Sequence, residues 1–307
     1  MIALAANDSS ALRSLLRKIN PPLDYVKVAL ERNMDTQLES ARGLRPVLLH
    51  GCGDHWRVGM AAPPKLERLK NWIATSNTPY LSVHLDFQPE DMDNLTPGAA
   101  LERLAENIEV LREATGLEIA LENVAQYAWS ERPLFISDPA WITAALEISQ
   151  APLLLDIAHA RVSAAHRGEN PEKYLDGLPL ESTLEIHTSA PRFEAEGLRD
   201  RHLAMQPVEF DWLEWVLVRA TKTKTITLEY AGIPDIGHTK DGAEIRIPRN
   251  DPSLLLENLA KLDTLRKRLS GKLREAPRLP QGWHLDQRRA PPREEELSLG
   301  SIQAMGY

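Results

Sequence analysis

The sequence predicts a closed (β/α)8 barrel followed by a C-terminal extension, on three observations. Eight short apolar runs alternate with stretches of helical periodicity, and parallel strands need crossover helices of that kind. Six of the eight runs stop abruptly at a histidine or a carboxylate, so their ends share one chemical character. No composition break appears before Ser270, and 307 residues accommodate one barrel of typical size plus a short tail.

In chain order, Met1 to Ala5 reads as a strand and Ser9 to Ile19 as a helix capped by Ser9 or Ser10. Pro21-Pro22 stops that helix, and Leu23 to Ala29 is the second strand. Asp35 to Arg42 is helical, Gly43 ends it, and Pro46 to His50 is the third strand. Pro63-Pro64 opens a helix through Thr75, where Leu66, Leu69, Trp72 and Ile73 recur at helical spacing and mark a core-facing stripe. Tyr80 to Phe87 is the fourth strand. Thr96-Pro97 then starts a long helix that buries Leu101, Leu104, Ile108 and Leu111 and closes at Gly116. Leu117 to Val124 is the fifth strand, Asp138-Pro139 caps a helix to Ile148, and Pro152 to Ile157 is the sixth strand. A short helix over Pro171 to Asp176 precedes strand seven, Thr183 to Thr188. A helix over Phe210 to Ala220 precedes strand eight, Thr225 to Tyr230, and Ser253 to Leu269 is the last helix.

This divides the chain into a barrel domain, 1–270, and a tail, 271–307, rich in Pro, Arg, Glu and Gln. Such a tail buries too little apolar surface to fold alone, so disorder or docking is expected, with Trp283 and Tyr307 as anchors. The formal charge of -8 provides no global field that would draw the chain to a polyanion, which makes nucleic acid a poor partner. The single cysteine, Cys52, excludes an intramolecular disulfide framework and reads as a small buried hydrophobe. The N-terminus lacks the basic flank and apolar length of a secretion signal, and no apolar run reaches the roughly 20 residues of a membrane span. A cytoplasmic protein is expected.

The chemistry is concentrated around Leu153-Leu154-Leu155-Asp156-Ile157-Ala158-His159, a buried strand opening into a carboxylate and, three residues on, an imidazole. Strands three, four and seven end in His50, His84 and His187, and strands five and eight in Glu122 and Glu229. Asp200-Arg201-His202 lies between strands seven and eight. Nine donors, His50, His84, Glu122, Asp156, His159, His187, Asp200, His202 and Glu229, thus fall at equivalent strand ends or in the adjoining loops. That end of a barrel carries the chemistry. Burying so many imidazoles and carboxylates without a cation is costly, and with so little thiolate the set suits iron, manganese or catalytic zinc. His55, His166, His238 and His284 lack strand-end placement and read as surface or loop residues. The loop from Ser189 to Arg199 is long enough to cover the site, and Arg192 in it is placed to hold a substrate carboxylate or carbonyl.

Several segments also carry a family resemblance. His50-Gly51, Ser82-Val83-His84-Leu85-Asp86-Phe87, Glu122-Asn123, Leu154-Leu155-Asp156 through Val162-Ser163-Ala164, Tyr174-Leu175, Glu185-Ile186-His187, Asp200-x-His202 and Leu228-Glu229 with Pro234 occur in this order. The chain resembles the multinuclear non-haem iron-dependent oxidases, a family of triosephosphate-isomerase-type (TIM) barrels related to xylose-isomerase-like folds. The resemblance covers roughly residues 1 to 268. It implies two or three iron ions, with zinc or manganese as alternatives, held by His50, His84, Glu122, Asp156, His187, Asp200, His202 and Glu229. It further implies a reaction with dioxygen on a peptide residue such as cysteine, the peptide being presented by a partner protein. Asp156 and Glu122 would serve catalysis as ligands, and Asn123 would support them.

The match has departures. His159 stands where much of that family has asparagine, Thr188-Ser189-Ala190 replaces a Leu-Ala-Gly run, and Tyr230-Ala231 replaces a more polar pair. Asp-x-x-His, a further His, then Asp-x-His also resembles the set of the endonuclease IV type of abasic-site nuclease, where three zinc ions act on a phosphodiester. A sugar isomerase or epimerase of the xylose-isomerase-like group is the other alternative.

Overall fold

The computed structural model describes residues 2–29, 34–53, 55–92, 95–231, 235–238, 244–247 and 251–270. Pro234, His284, Trp283, Tyr307 and the whole tail lie outside the described residues. The barrel begins β1 (Ala3–Asn7), α1 (Ser10–Lys18), β2 (Tyr25–Ala29), α2 (Met34–Arg42), β3 (Val47–His50), α3 (Leu66–Ser76) and β4 (Leu81–His84). It continues α4 (Pro97–Thr115), β5 (Ile119–Glu122), α5 (Pro139–Ser149), β6 (Leu153–Asp156), α6 (Ile157–Arg167), α7 (Pro171–Asp176) and β7 (Thr183–Thr188). After β7 come a hairpin of β8 (Ala190–Glu194) and β9 (Gly197–Leu203), then α8 (Pro207–Arg219) and β10 (Thr225–Leu228). A second two-stranded sheet, β11 (Asp235–His238) with β12 (Glu244–Ile247), precedes α9 (Pro252–Ser270).

Eight strands close in the order β1-β10-β7-β6-β5-β4-β3-β2, every pair parallel. The chain is therefore a TIM barrel, as its alternation of strands and helices predicts. Successive side chains of a strand point to opposite faces. One set, including Leu49, Val83, Leu121, Leu155, Ile186 and Ile226, joins the large core shared with the helices. The other set looks into the barrel, where Ala5, Leu48, Tyr80, Ala120, Leu154 and Leu184 form an inner cluster. A bulge at Leu184 of β7, opposite the Leu153–Leu154 step of β6, shifts the register of β7 so that Glu185 and His187 face inward. Two fully buried indoles, Trp212 and Trp215, fasten α8 to the barrel wall, with ring centroids 5.9 Å apart.

The strands are shorter than their apolar runs imply. The fourth stops at His84 and the fifth at Glu122, because polar side chains at the barrel mouth end the ladder. The helix expected at Phe210 starts at Pro207, where Gln206 and Glu209 form a reciprocal capping box. Helix α6 was not expected: Asp156 ends β6 and at once caps α6, its Oδ1 accepting the His159 amide at 2.7 Å. An Ala-rich sequence after a capping carboxylate was the signal for it.

The segment expected to be a loop after Ser189 is the antiparallel β8–β9 hairpin, and Arg192 lies on its first strand. The turn needs Gly197, whose φ is 118° and where a Cβ would stand 2.9 Å from the His166 ring. His166 is accordingly half-buried rather than a free surface residue. From α6 its Nε2 donates to the Leu198 carbonyl at 2.8 Å, holding the hairpin against the barrel, while Leu198 packs on Ala125 and Val162. His55 is exposed in a turn, and of His238 only its backbone, in β11, is described.

Cys52 is buried, and burial pushes its thiol well above the usual range, so it packs as expected. No helix among the described residues is long and apolar enough to cross a membrane. Helix α9 completes the wall: Arg266 donates to the Ile2 carbonyl at 3.0 Å and pairs with Asp24, and Asn258 accepts the Met205 amide at 2.7 Å. A chain ending at Ser270 should therefore retain one cooperative thermal transition. Ending it before α9 should abolish folding, because the β1 edge and the segment after β9 both lose partners. Circular dichroism melts of the two truncations check this.

Candidate metal centre

Above the inner apolar cluster, the period of two puts the last inward residue of each strand at the barrel mouth. Leu48 is followed by His50, Ser82 by His84, Ala120 by Glu122, Leu154 by Asp156, Glu185 by His187 and Thr227 by Glu229. His159 joins them from the first turn of α6, and Asp200 and His202 come from β9. All nine residues singled out in the sequence lie in three contiguous donor groups: His50, His84, Glu122; then Glu122, Asp156, His187, Glu229; then His159, Asp200, His202. Arg192 is outside them, its side chain half exposed and 3.7 Å from Glu194.

The spacing within each group matches a shared cation. Donors bound to one ion at about 2.1 Å stand about 3–3.5 Å apart. In the first group, His50 Nε2 is 3.4 Å from His84 Nε2 and 3.1 Å from Glu122 Oε2, and His84 Nε2 is 3.5 Å from the same oxygen. In the second, His187 Nδ1 is 3.3 Å from Glu122 Oε1 and 3.1 Å from Glu229 Oε1. In the third, Asp200 Oδ2 is 3.3 Å from His159 Nε2 and 2.8 Å from His202 Nε2.

Two carboxylates join the groups into a row. Glu122 gives Oε2 to the first and Oε1 to the second. Glu229 gives Oε1 to the second, and its Oε2 is 3.3 Å from His202 Nε2 in the third. The middle group is sealed, all four residues being buried, whereas each flanking group has one accessible imidazole. The His84 side chain is 47% exposed and that of His202 35%. Access from solvent is therefore at the two ends of the row.

The surroundings aim these atoms. Ser82 Oγ is 2.9 Å from His50 Nδ1, leaving Nε2 for the site. His159 Nδ1 donates to the Asn123 carbonyl at 2.9 Å, which likewise turns Nε2 toward Asp200. Asn123 clamps β5 to β6 at Asp156, accepting from the Asp156 amide at 2.8 Å and donating to its carbonyl at 3.0 Å. Asp156 has one oxygen in the α6 cap, while buried Oδ2 finds no hydrogen-bond partner among the described residues. An orphaned buried carboxylate oxygen fits a bound cation. His202 has a φ of 47°, a conformation costing non-glycine residues roughly 1 kcal/mol or more and tolerated where it aims a functional group.

The sequence pattern did not single out Ser82, Asn7 or Tyr127. Asn7 donates to Glu229 Oε1 at 3.2 Å, and the Tyr127 hydroxyl accepts the Asp200 amide at 3.3 Å. Ser82 and Asn7 were findable by strand parity, two residues before His84 and two after Ala5. Tyr127 depends on the hairpin's docking, which no local pattern encodes.

The electrostatics of the metal-free chain follow from crowding. Burial pushes the Asp156 carboxyl up to about 7, with the other carboxylates adding to the effect and His159 opposing it. Burial disfavours charge on Glu122 too, but His187, His84 and His50 outweigh it and hold the group well below the usual carboxylate range. For His159, burial is overcome by Asp156, Asp200 and Glu122, which push the imidazole up to about 10. Burial is likewise outweighed at His187, chiefly by Glu229, and at His202, chiefly by Asp200, so both lie well above the ordinary value. His50 goes the other way, burial dominating despite Glu122.

Fold and donor arrangement define a TIM-barrel protein with a three-part donor row at its mouth. The chain belongs to the RiPP precursor modification enzyme MbnB/TglH/ChrH family, whose model matches residues 9–241. The resemblance carried by the segments from His50-Gly51 to Leu228-Glu229 is thereby borne out. A UPF0276 protein of Paraburkholderia phytofirmans is 31% identical over 159 residues, 49% of this chain and 51% of the relative. Another, of Caulobacter vibrioides, is 27% identical over 206 residues, 62% of this chain and 72% of the relative. The chain spans about half the length of the curated relatives it matches first. Among solved structures, a D-tagatose 3-epimerase-like protein superposes with TM-score 0.58 at 14% identity, covering 89% of this chain and all of the other. Endonuclease IV of Thermus thermophilus superposes with TM-score 0.52 at 14% identity, covering 88% and 100%. These two likenesses show the fold.

Two outcomes are expected. At pH 8, His159, pushed up to about 10, carries a proton on the nitrogen that faces Asp200, so metal uptake there must expel it. Apparent affinity should fall as pH drops from about 10, and further below about 7 as Asp156 protonates. Calorimetry in buffers of different ionisation enthalpy should show proton release at pH 8, and heats independent of buffer would contradict the assignment. Substituting His159→Asn should lower metal content per chain, by elemental analysis, while the melting curve stays cooperative.

Proposed function

We propose that the donor row holds two or three iron ions and that the protein is a multinuclear iron-dependent oxidase that modifies a peptide residue, such as a cysteine, with dioxygen. The observation that carries this reading is the pair of carboxylates, Glu122 and Glu229, each with its two oxygens in adjacent groups. Bridging carboxylates with imidazoles and no thiolate suit iron or manganese, with zinc as the alternative metal. Family membership supports a peptide substrate.

His50, His84 and Glu122 would hold one ion, Glu122, Asp156, His187 and Glu229 the second, and His159, Asp200 and His202 the third. Bound iron would supply the one-electron chemistry that dioxygen requires. The chain's own part is to place the peptide and manage its protons. The exposed faces beside His84 and His202 leave room for a substrate atom, and the β8–β9 hairpin borders the His202 side. Arg192 on that hairpin would hold a peptide carboxylate or carbonyl; its guanidinium is half exposed, and Glu194 beside it is engaged at 2.6 and 2.5 Å by Arg201. Asp156 and Glu122 are the residues on which turnover depends, as ligands of the sealed middle position. A partner protein that presents the peptide is part of the proposal.

Zinc-dependent phosphodiester cleavage and sugar isomerisation use the same fold, and only the site chooses among them. A net charge of -8 argues against a DNA substrate. Anaerobically reduced, iron-loaded protein should consume dioxygen when its peptide is supplied, measured with an oxygen electrode. Asp156→Ala should abolish both iron retention and turnover. If zinc-loaded protein cleaves abasic-site DNA and iron-loaded protein is inert toward peptide and dioxygen, the hydrolytic alternative is correct.

A further inference from the structure

Directly beneath the middle donor group lies a second buried polar cluster that the proposed reaction does not use. Glu185, on β7 two residues before His187, is fully buried in the barrel interior. Its Oε1 is 2.7 Å from the ammonium of Lys27, itself 2% exposed on β2, and accepts from the Thr227 hydroxyl. Its Oε2 accepts from the Tyr80 hydroxyl at 2.9 Å. Two other strands, β2 and β10, and the residue just before β4 thus converge on one carboxylate.

Such a pair is a poor way to stabilise a core, since apolar residues of similar size do as well or better. What the pair touches is His187. The Nε2 of that ring is 3.4 Å from Glu185 Oε1, while Nδ1 faces Glu122 and Glu229 at 3.3 and 3.1 Å. Carboxylates therefore flank both ring nitrogens, and the ring could offer either one to a cation. A proton on Nε2 pointing at Glu185 resolves the choice and leaves the Nδ1 lone pair to the donor group above. Lys27 balances the charge of Glu185, so the acceptor adds no net anion beneath a site already holding Glu122, Asp156 and Glu229.

Resting on the reading of the donor row as a metal site, we propose that Glu185 is a positioning residue, held by Lys27, Tyr80 and Thr227, that fixes the His187 ring with Nε2–H toward itself and Nδ1 toward the middle metal position. Hydrogen-bonded carboxylates behind a ligating histidine set its tautomer and raise its basicity, and their loss typically weakens metal binding by about 10–100-fold.

The probe is zinc alone, added to the full metal-free chain, so the outcome is independent of iron or oxidase activity. Long-range proton–nitrogen NMR on histidine-labelled, zinc-loaded protein should show His187 metal-bound through Nδ1, with a slowly exchanging proton on Nε2. Lys27→Met/Glu185→Leu removes both charges together and so leaves no unpaired buried ion. It should lose the slow exchange of that proton and weaken zinc binding at this position by about 10–100-fold in chelator competition. Lys27→Met/Glu185→Gln restores an uncharged acceptor and should fall between the wild type and the leucine variant. If the leucine variant does not fold, the glutamine variant carries the test: weaker zinc binding with the Nε2 proton retained supports the proposal. Wild-type affinity in a folded variant, or zinc on Nε2 in the wild type, overturns the positioning role while leaving the metal site standing. A wild-type chain that takes up no zinc at His187 overturns the metal reading and this proposal together.

Discussion

The period of two along a β-strand governs this molecule. Because the barrel is closed, one face of every strand must pack on helices and the other must fill the interior. The interior face begins with apolar side chains, Leu48, Ala120 and Leu154 among them, and two residues later presents His50, Glu122 and Asp156. A one-residue slip in any of the six strands that lead into the donor row would put a donor into the helix layer and an apolar side chain into the site. Register and chemistry are therefore set by the same constraint. The bulge at Leu184 of β7 brings Glu185 and His187 onto the inward face.

This coupling explains why so much was legible in the sequence. Apolar runs that end at His50, His84, Glu122, Asp156, His187 and Glu229 encode the strand, its direction and its polar end together, so the barrel and its mouth follow from one pattern. Helix α6 and the β8–β9 hairpin were less legible, because their positions depend on tertiary contacts. Asp156 had to be recognised as both strand end and helix cap. The hairpin is held by His166 on the Leu198 carbonyl and by Gly197 giving way to the His166 ring, contacts between residues about 30 positions apart. His166 looked like a surface residue because nothing local records that contact. Lys27 was hidden in an apolar strand, where one lysine carries no periodic signal.

The hairpin and α6 are also where the donor row differs from the strand-end pattern. His50, His84, Glu122, His187 and Glu229 are fixed by the barrel itself, whose parallel ladders allow little movement. Asp200 and His202 instead depend on how β9 docks, through Tyr127, His166 and the Leu198 contacts. His159 depends on the first turn of α6. The third donor group is thus assembled from added structure, with His202 in a left-handed conformation. The accessible end of the row beside His202 thus rests on docked structure outside the barrel, while the sealed middle rests on the barrel strands themselves.

Charge ties these levels together. Glu122, Asp156, Asp200 and Glu229 crowd one barrel mouth, and the metal-free chain answers by holding protons on His159, His187 and His202 and by raising Asp156. Those protons sit on the imidazoles that face the carboxylates, so protons and cations compete for the same lone pairs. The two neutralisations differ in reach: a proton satisfies one nitrogen, whereas an ion can satisfy three or four donors. Around Glu122, the spacings of 3.3 and 3.5 Å are long for hydrogen bonds, and all three, from 3.1 to 3.5 Å, fit donors around an ion. The mouth accordingly has the dimensions of a cation site, and the buried Lys27–Glu185 pair beneath it would supply a floor of unchanged net charge to any cation held there.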